Sequence, residues 1–471
     1  MERPEETNKE QGAAFPAYKP MPAERREYSA KQKLLLAVTL AMGIVFAALL
    51  WGDYGTSREF ALPYAFFWAI YLVGYYVAVP DAKTNRAGWL LVSSVALLFL
   101  RYAVYAERTL GLINLIAIPL LLMLHAVVCS FRASPGCEGE YALRYLAGFF
   151  VKPFAHIPRF FGAIGAIFQK REEQKRSGVF LGLLIGLPLA VLVFSLLSSA
   201  DSVLSYYAGK LFEGWSVSEV FWRTVLAVIV AFLFYSFLYG TAWEKFPTRA
   251  QPYKKGIEPS MLHTVIALLL AVYAVFGYVQ FFYLTGLRGL PAGLTYSAYA
   301  VRGFNELLIV ALINLGLFAL TLRFEKEHRR KRAFLLLLLI ATALVLYSGA
   351  ARLILYIDAY ALTMARILPF WFILFLAVAA TFCAVRLYME KFRLMRAVTA
   401  AFIAMYLILN TLNLDAMVAQ SVLARARLRG TLDEADAHYL RYSLSSDAER
   451  VLKASKYKDQ IYYDVEPGDL G

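Results

Sequence analysis

Residues 293–308 read Gly-Leu-Thr-Tyr-Ser-Ala-Tyr-Ala-Val-Arg-Gly-Phe-Asn-Glu-Leu-Leu. Long apolar runs flank this stretch, Met261–Leu284 before it and Gly303–Leu322 after it. Between them stand two tyrosines, Tyr296 and Tyr299, with Arg302 and Glu306. Arg302 and Glu306 have the spacing that puts two side chains on one face of a helix. Ionisable groups at the mouth of a membrane helix are costly unless they are neutralised or used. The stretch therefore reads as the entrance to a membrane span.

Composition agrees. The 471 residues are 60% hydrophobic and 15% aromatic but only 17% charged, against about 25% charged in soluble domains. Apolar runs of roughly 18 or more residues recur along the chain, as spanning helices require. A net charge of +14 would point to nucleic acid in a soluble protein. Here the basic residues fall in short loops between apolar runs, where membrane topology accounts for them. Nucleic acid is therefore not an expected partner. Cys129, Cys137 and Cys383 have neither disulfide nor metal spacing, and the five histidines form no ligand cluster. No metal and no cofactor is expected.

The chain divides in order. Residues 1–33 are polar and carry Pro16, Pro20 and Pro22; they are expected to be disordered in the cytoplasm. The first apolar run starts near Leu34, so no cleavable signal peptide is expected. Eleven spans follow: Leu34–Trp51, Phe60–Val79, Gly88–Tyr105, Leu110–Phe131, Val179–Ser199, Val220–Trp243, Met261–Leu284, Gly303–Leu322, Ala333–Gly349, Leu368–Val385 and Ala397–Leu412. Basic clusters around Lys31, Lys83, Arg171, Lys254, Arg330 and Arg393 all lie on one side if the N-terminus is cytoplasmic. An odd number of spans then puts the C-terminal tail outside. The expected fold is an all-α integral protein of the cytoplasmic membrane, with about 11 transmembrane helices, interfacial helices and a small helical tail. Its parts are residues 34–132, holding four spans; a cytoplasmic interfacial loop, 133–178; a core of seven spans, 179–412; and the tail, 413–471.

Two loops carry more than a connection. Tyr141–Phe168 is rich in phenylalanine and broken by Pro153 and Pro158, and reads as amphipathic helices lying in the membrane interface. It serves as an anchor or as a docking surface for a partner. Ala350–Ile367 places Arg352, Tyr356, Tyr360, Thr363 and Arg366 on one helical face. It reads as an outside-facing interfacial or re-entrant helix. In the tail, Asp415 can cap a helix reaching Arg429, Gly430 can terminate it, and Ser446 to Glu449 has capping-box spacing.

The outer helix ends hold more arginine than charge bias predicts: Arg101, Arg223, Arg302, Arg352 and Arg366. Guanidinium forks bind phosphate or carboxylate, so a converging set suits an anionic lipid or a small anion. The competing reading pairs them with Asp53, Glu59, Asp201, Glu306 and Asp358 in a buried network that only holds helices together. If these groups converge, Arg302, Glu306, Arg352, Tyr356, Asp358, Tyr360 and Arg366 form one outward cavity. Tyr296, Tyr299, Asp201, Arg101, Arg223, Asn413 and Asp415 are its secondary candidates. Asp201 suits helix capping better than general-base work. His125 and Cys129, one helical turn apart, suit packing better than metal ligation. No phosphate-binding Gly loop, nucleophile elbow or zinc-protease helix is present.

Three stretches resemble a group of bacterial polytopic membrane proteins, a domain of unknown function numbered four-one-seven-three with a relative numbered four-one-five-three. They are Gly293 to Leu307; Arg352-Leu353, Tyr356, Ala359 to Thr363 and Arg366; and Asn413-Leu414-Asp415, Ala419, Arg425, Gly430, Leu432-Asp433, Tyr439-Leu440, Leu444-Ser445 and Asp447-Ala448. Leu187-Pro188 to Ala200-Asp201 also fits. The resemblance covers residues 179–452. The group usually has glycine where Ala361 stands, so this helix is expected to run straighter here. It has proline where Leu414 stands, ends the third motif with Val-Pro where Glu449-Arg450 stand, and tends to asparagine at Asp201. The resemblance implies that the motif residues gather on the extracytoplasmic side, and it implies no activity.

Three functions remain open. The first is a non-enzymatic envelope protein working through its outer polar cluster and tail, with or without a membrane protein partner. The second is a transporter or flippase with the arginines as an anion site, although no internal repeat is visible. The third is a membrane-embedded transferase or hydrolase acting on a lipid-linked phosphate, with Asp358, Glu306 or Asp201 as acid or base. The short first outer loop, Gly52–Glu59 with Asp53, counts against it.

Overall fold

The computed structural model describes residues 29–50, 57–130, 150–168, 217–243, 258–284, 304–324 and 329–462, with Gly52 and single positions between 186 and 207. Among the described residues there is no strand. Ten helices there are long and apolar enough to cross a membrane. They are α1 (Ala30–Leu50), α2 (Ser57–Ala78), α3 (Arg86–Val104), α4 (Arg108–Ser130), then, after the shorter α5 (Ile157–Phe168), α6 (Val217–Trp243), α7 (Pro259–Leu284), α8 (Phe304–Phe324), α9 (Arg329–Tyr360), α10 (Met364–Tyr388) and α11 (Leu394–Thr411). Every described position from Gly186 to Ala200 is also helical, where the sequence places the fifth span; the rest of that span lies outside the described residues.

Two apolar cores hold the bundle. Phe67, Trp68, Tyr71, Tyr75, Tyr235 and Leu238 centre the first, from α2 and α6. Leu335, Leu338, Val345, Phe318, Ile373 and Leu376 centre the second, from α8, α9 and α10. At Gly43 a Cβ would stand 2.1 Å from the Ala227 carbonyl oxygen. Only glycine lets α1 and α6 approach so closely, as small residues do between membrane helices. Several polar groups within the bundle are paired across helices. Asn114 Nδ2 donates to Asn410 Oδ1 at 2.8 Å, and the Tyr406 hydroxyl donates to Asn114 Oδ1 at 2.5 Å. Tyr273 donates to Asn314 Oδ1 at 2.7 Å. Such bonds contribute about 0.6 kcal/mol each.

Two readings of the loops need correction. The aromatic loop does not only lie in the interface. Phe160 on α5 is 1% exposed and packs on Phe232 and Tyr235 of α6. The His156 N–H donates to Ser236 Oγ at 2.8 Å. Phe150 and Phe154 stay exposed. Likewise 350–360 is no separate interfacial helix. It is the end of α9, whose 32 residues reach about 48 Å at 1.5 Å per residue, well past a hydrocarbon core of about 30 Å. Arg352, Tyr356 and Tyr360 of the polar stripe therefore belong to one helix longer than a span requires, while Thr363 and Arg366 lie beyond its end. Ala361 breaks the helix at φ 61°, so the chain turns there in spite of lacking the expected glycine.

The tail folds over the bundle. Asn413, not Asp415, caps α12 (Leu414–Arg429), its Oδ1 accepting the Ala416 N–H at 3.0 Å. Gly430 ends the helix at φ 82°, the left-handed conformation that favours glycine. Short helical turns follow at Glu434–His438, Tyr439–Ser443, Ser446–Ala448, Glu449–Lys453 and Lys458–Tyr462. The capping box does not form: Ser445 caps the 446–448 turn and no side chain caps Glu449–Lys453. Leu432, Leu440, Leu452 and Ile461 make a small core under this cap, each contributing about 1.5–3 kcal/mol.

Candidate functional site

The end of α9 is held by guanidinium groups. The last carbonyls of a helix have no partner within it and carry its partial negative charge. Arg366, in the first turn of α10 and 9% exposed, donates through Nη1 to the Tyr360 carbonyl at 2.8 Å and to the Ala361 carbonyl. Its guanidinium also lies 4.1 Å from the centre of the Tyr356 ring and 5.8 Å from that of Tyr360. Arg425 of α12 donates to the Ala359 carbonyl at 3.4 Å and grips Asp436 through both carboxylate oxygens, at 2.8 and 2.6 Å. The Leu362 N–H donates to Ser421 Oγ at 2.9 Å. Tyr356, Tyr360 and Arg366 are thus brought together, and Arg366 fastens one helix end to the next.

A second polar cluster joins α3, α4 and the tail. Arg101 is 3% exposed and Glu107 4%. Arg101 Nη2 donates to Glu107 Oε2 at 2.6 Å. The same carboxylate caps α4, accepting the Thr109 and Leu110 N–H groups. Asp447 Oδ2 accepts the N–H groups of Ala106 at 2.6 Å and Glu107 at 3.0 Å. Asn413 Nδ2 donates to the Asp447 carbonyl at 3.1 Å, and the Tyr105 hydroxyl to the Thr411 carbonyl at 2.8 Å. Asp415, 4% exposed, accepts the Ser445 N–H at 2.8 Å. Burial lifts the Asp415 carboxyl above its ordinary range; bonds from Ser445 pull it down, and the nearby Glu107 and Asp447 charges push it further up.

These groups border a cavity of about 740 Å³, within the size range of small-molecule sites. Its lining has two characters. Glu107, Arg108, Asp415, Tyr439 and Ser445 make the polar end. Phe60, Leu112, Leu115 and Met364 make the apolar end, on α2, α4 and α10. Leu112 is 65% exposed, so the cavity opens onto the bundle surface along α4.

The sequence-derived candidates fall into three places. Arg302, Tyr296 and Tyr299 lie outside the described residues. Glu306, at the start of α8, and Asp358, near the end of α9, are exposed, and Arg352 is half-buried. Asp415 lines the cavity; Arg101 and Asn413 do not, but bond to Glu107 and to the Asp447 carbonyl beside it. Asp201 Oδ1 accepts the Val203 and Leu204 N–H groups at 2.8 and 3.0 Å, a cap. Arg223 pairs with Glu219 one turn away. His125 Nε2 meets the Tyr76 hydroxyl at 3.0 Å and packs on the Tyr75 ring. Glu107 and Arg108 were not singled out from sequence, and Asp447 only as part of a motif. The available signal was a charged Glu-Arg pair opening an apolar run. Nothing local says that Asp447 lies against it.

Ten helices able to cross a membrane, with a polar helical cap on one end, define an integral multi-pass membrane protein. The family model described as Domain of unknown function (DUF4153) matches residues 92–454, and the chain belongs to that family. No curated protein and no solved structure matches the chain. Of the two groups its motifs resemble, the match falls to the one numbered four-one-five-three, and it extends back to take in most of α3 and all of α4.

Proposed function

We propose that the protein is a non-catalytic lipid-binding component of a bacterial envelope, holding an amphiphile in the cavity beneath its C-terminal cap. The observation that carries this reading is the double lining: carboxylate, guanidinium and phenol at one end, Phe60, Leu112, Leu115 and Met364 at the other. A water-soluble ligand would leave the apolar end unused, and a bare hydrocarbon would leave Asp415 dry. Proteins that only brace a bilayer have no need of the space.

Topology supports an extracytoplasmic position. Charge bias puts the N-terminus inside, and α3 then ends outside. Asp447 touches the residues that follow α3, so an even number of crossings must separate them. Seven of the ten membrane-length helices lie between them; the fifth span expected from sequence supplies the eighth.

Native mass spectrometry of the detergent-purified protein tests the reading. Wild type is expected to carry a co-purifying lipid, and Leu112→Trp or Leu115→Trp, which fill the apolar end, to lose it. A lipid-free wild type rejects the proposal. One observation favours a second reading, a transferase or hydrolase on a lipid-linked phosphate: Asp415, buried at the cavity with its titration raised by burial, is placed for general acid or base work. Turnover of a lipid-linked phosphate, lost in Asp415→Asn, would establish that reading instead.

A further inference from the structure

We infer that the cavity selects a phospholipid whose headgroup ends in a primary amine, with the ammonium on Asp415, the phosphate at Arg108 and the chains along Phe60, Leu112, Leu115 and Met364. This rests on the lipid-binding reading above and names the lipid class.

The argument is one of unmatched charge. Three carboxylates stand together at the polar end, and of these only Glu107 is paired with a basic side chain. Glu107 has Arg101, Thr109 and Leu110. Asp447 has the Ala106 and Glu107 N–H groups. Asp415 has the N–H and hydroxyl of Ser445 but no cation; it is as buried as Glu107 and, unlike Asp447, lines the cavity directly. A buried carboxylate beside two others calls for a cation, and no described basic side chain bonds to it. Tyr439 and Ser445 border the same end, and their hydroxyls can accept from an ammonium. Burial and then the Glu107 and Asp447 charges raise the Asp415 titration against the Ser445 bonds, and burial and Asp415 raise that of Tyr439 against the nearby Arg366 guanidinium.

Arg108 is exposed on the rim, and no carboxylate among the described residues pairs with it. A phosphate binds a guanidinium fork well. A headgroup with phosphate and ammonium in series therefore spans from rim to floor. A choline headgroup has the charge but no N–H to donate. A glycerol headgroup has donors but no charge, and its phosphate remains opposed to three carboxylates.

The test is lipid competition on the full-length protein in micelles, read by native mass spectrometry. Phosphatidylethanolamine, phosphatidylcholine and phosphatidylglycerol of matched chains are supplied in equal amounts. The ethanolamine lipid is expected to exceed the glycerol lipid by about tenfold, the effect of one charge-assisted hydrogen bond. Asp415→Asn keeps an acceptor for Ser445 and should bind lipid with that preference gone. Arg108→Gln, at an exposed position, should weaken all three lipids alike. Lipid retained without headgroup preference, or with the glycerol lipid favoured, overturns this inference and leaves the lipid-binding reading standing. A preference unchanged in Asp415→Asn overturns it too. No lipid bound by wild type overturns both.

Discussion

The Asp447 carboxylate accepts the N–H of Glu107, 340 residues earlier in the chain, at 3.0 Å. With the Ala106 N–H on the same oxygen, this is the main polar tie between the cap and the start of α4. Charge-assisted bonds to backbone are worth about 1.5–3 kcal/mol each when removal strands the donors. Asp447→Ala should therefore loosen the cap by about 3 kcal/mol, and Asp447→Asn by less. Hydrogen exchange in residues 432–462 is expected to speed up while α9 and α10 stay protected. Unchanged exchange in the cap would show that its apolar core alone holds it down.

Arg101 and Glu107 form a buried pair, their side chains 2% and 4% exposed. Removing one partner leaves the other charged and dry, at a loss of about 3–5 kcal/mol. Arg101→Met should lower the melting temperature in detergent markedly. Adding Glu107→Gln, which can still cap α4, should recover part of the loss. A double variant no better than the single one contradicts the pairing.

Ala361 occupies a left-handed conformation, φ 61°, that is costly for a residue with a Cβ by roughly 1–2 kcal/mol. Glycine takes it freely but is more disordered when unfolded. The expected net effect of Ala361→Gly is a gain of about 0.5–1 kcal/mol, seen as a small rise in melting temperature. A fall would mean that the buried Ala361 methyl matters more than the backbone strain.

Asp415 makes stability depend on acid. Its carboxyl is raised by burial first, then by Glu107 and Asp447, so the folded state holds the proton more firmly than the unfolded one. The resulting stabilisation is complete below the unfolded value, about pH 3.9, and is lost as pH rises through the folded value. Asp415→Asn has no such dependence. Its melting temperature relative to wild type, in lipid-free detergent, should climb from pH 4 toward neutrality. A flat difference would mean that Asp415 is ionised at no expense.

The helices were legible because hydrocarbon leaves few choices. An apolar run of sufficient length must satisfy its own backbone, and a helix does so. The helix end at Gly430 also followed from local chemistry, while the cap expected at Asp415 falls two residues earlier, on Asn413, and the start of α10 was misjudged by only a turn. What the local pattern could not carry was how each arginine is used. Arg366 read as a ligand group but caps α9, and Arg101 read as one of several outer arginines but belongs to Glu107. Both pairings depend on how the chain folds back. Glu107 itself gave no periodic signal, since one acid before an apolar run resembles an ordinary loop residue.

The arrangement of the cap has a bearing on biosynthesis. Tyr439 and Ser445, which line the chamber, and Asp447 beside them leave the ribosome after the ten described membrane-length helices. Until then the Ala106 and Glu107 amides wait in water with no carboxylate to take them. A chain stopped or clipped before residue 447 would lack the carboxylate that ties the cap to the start of α4.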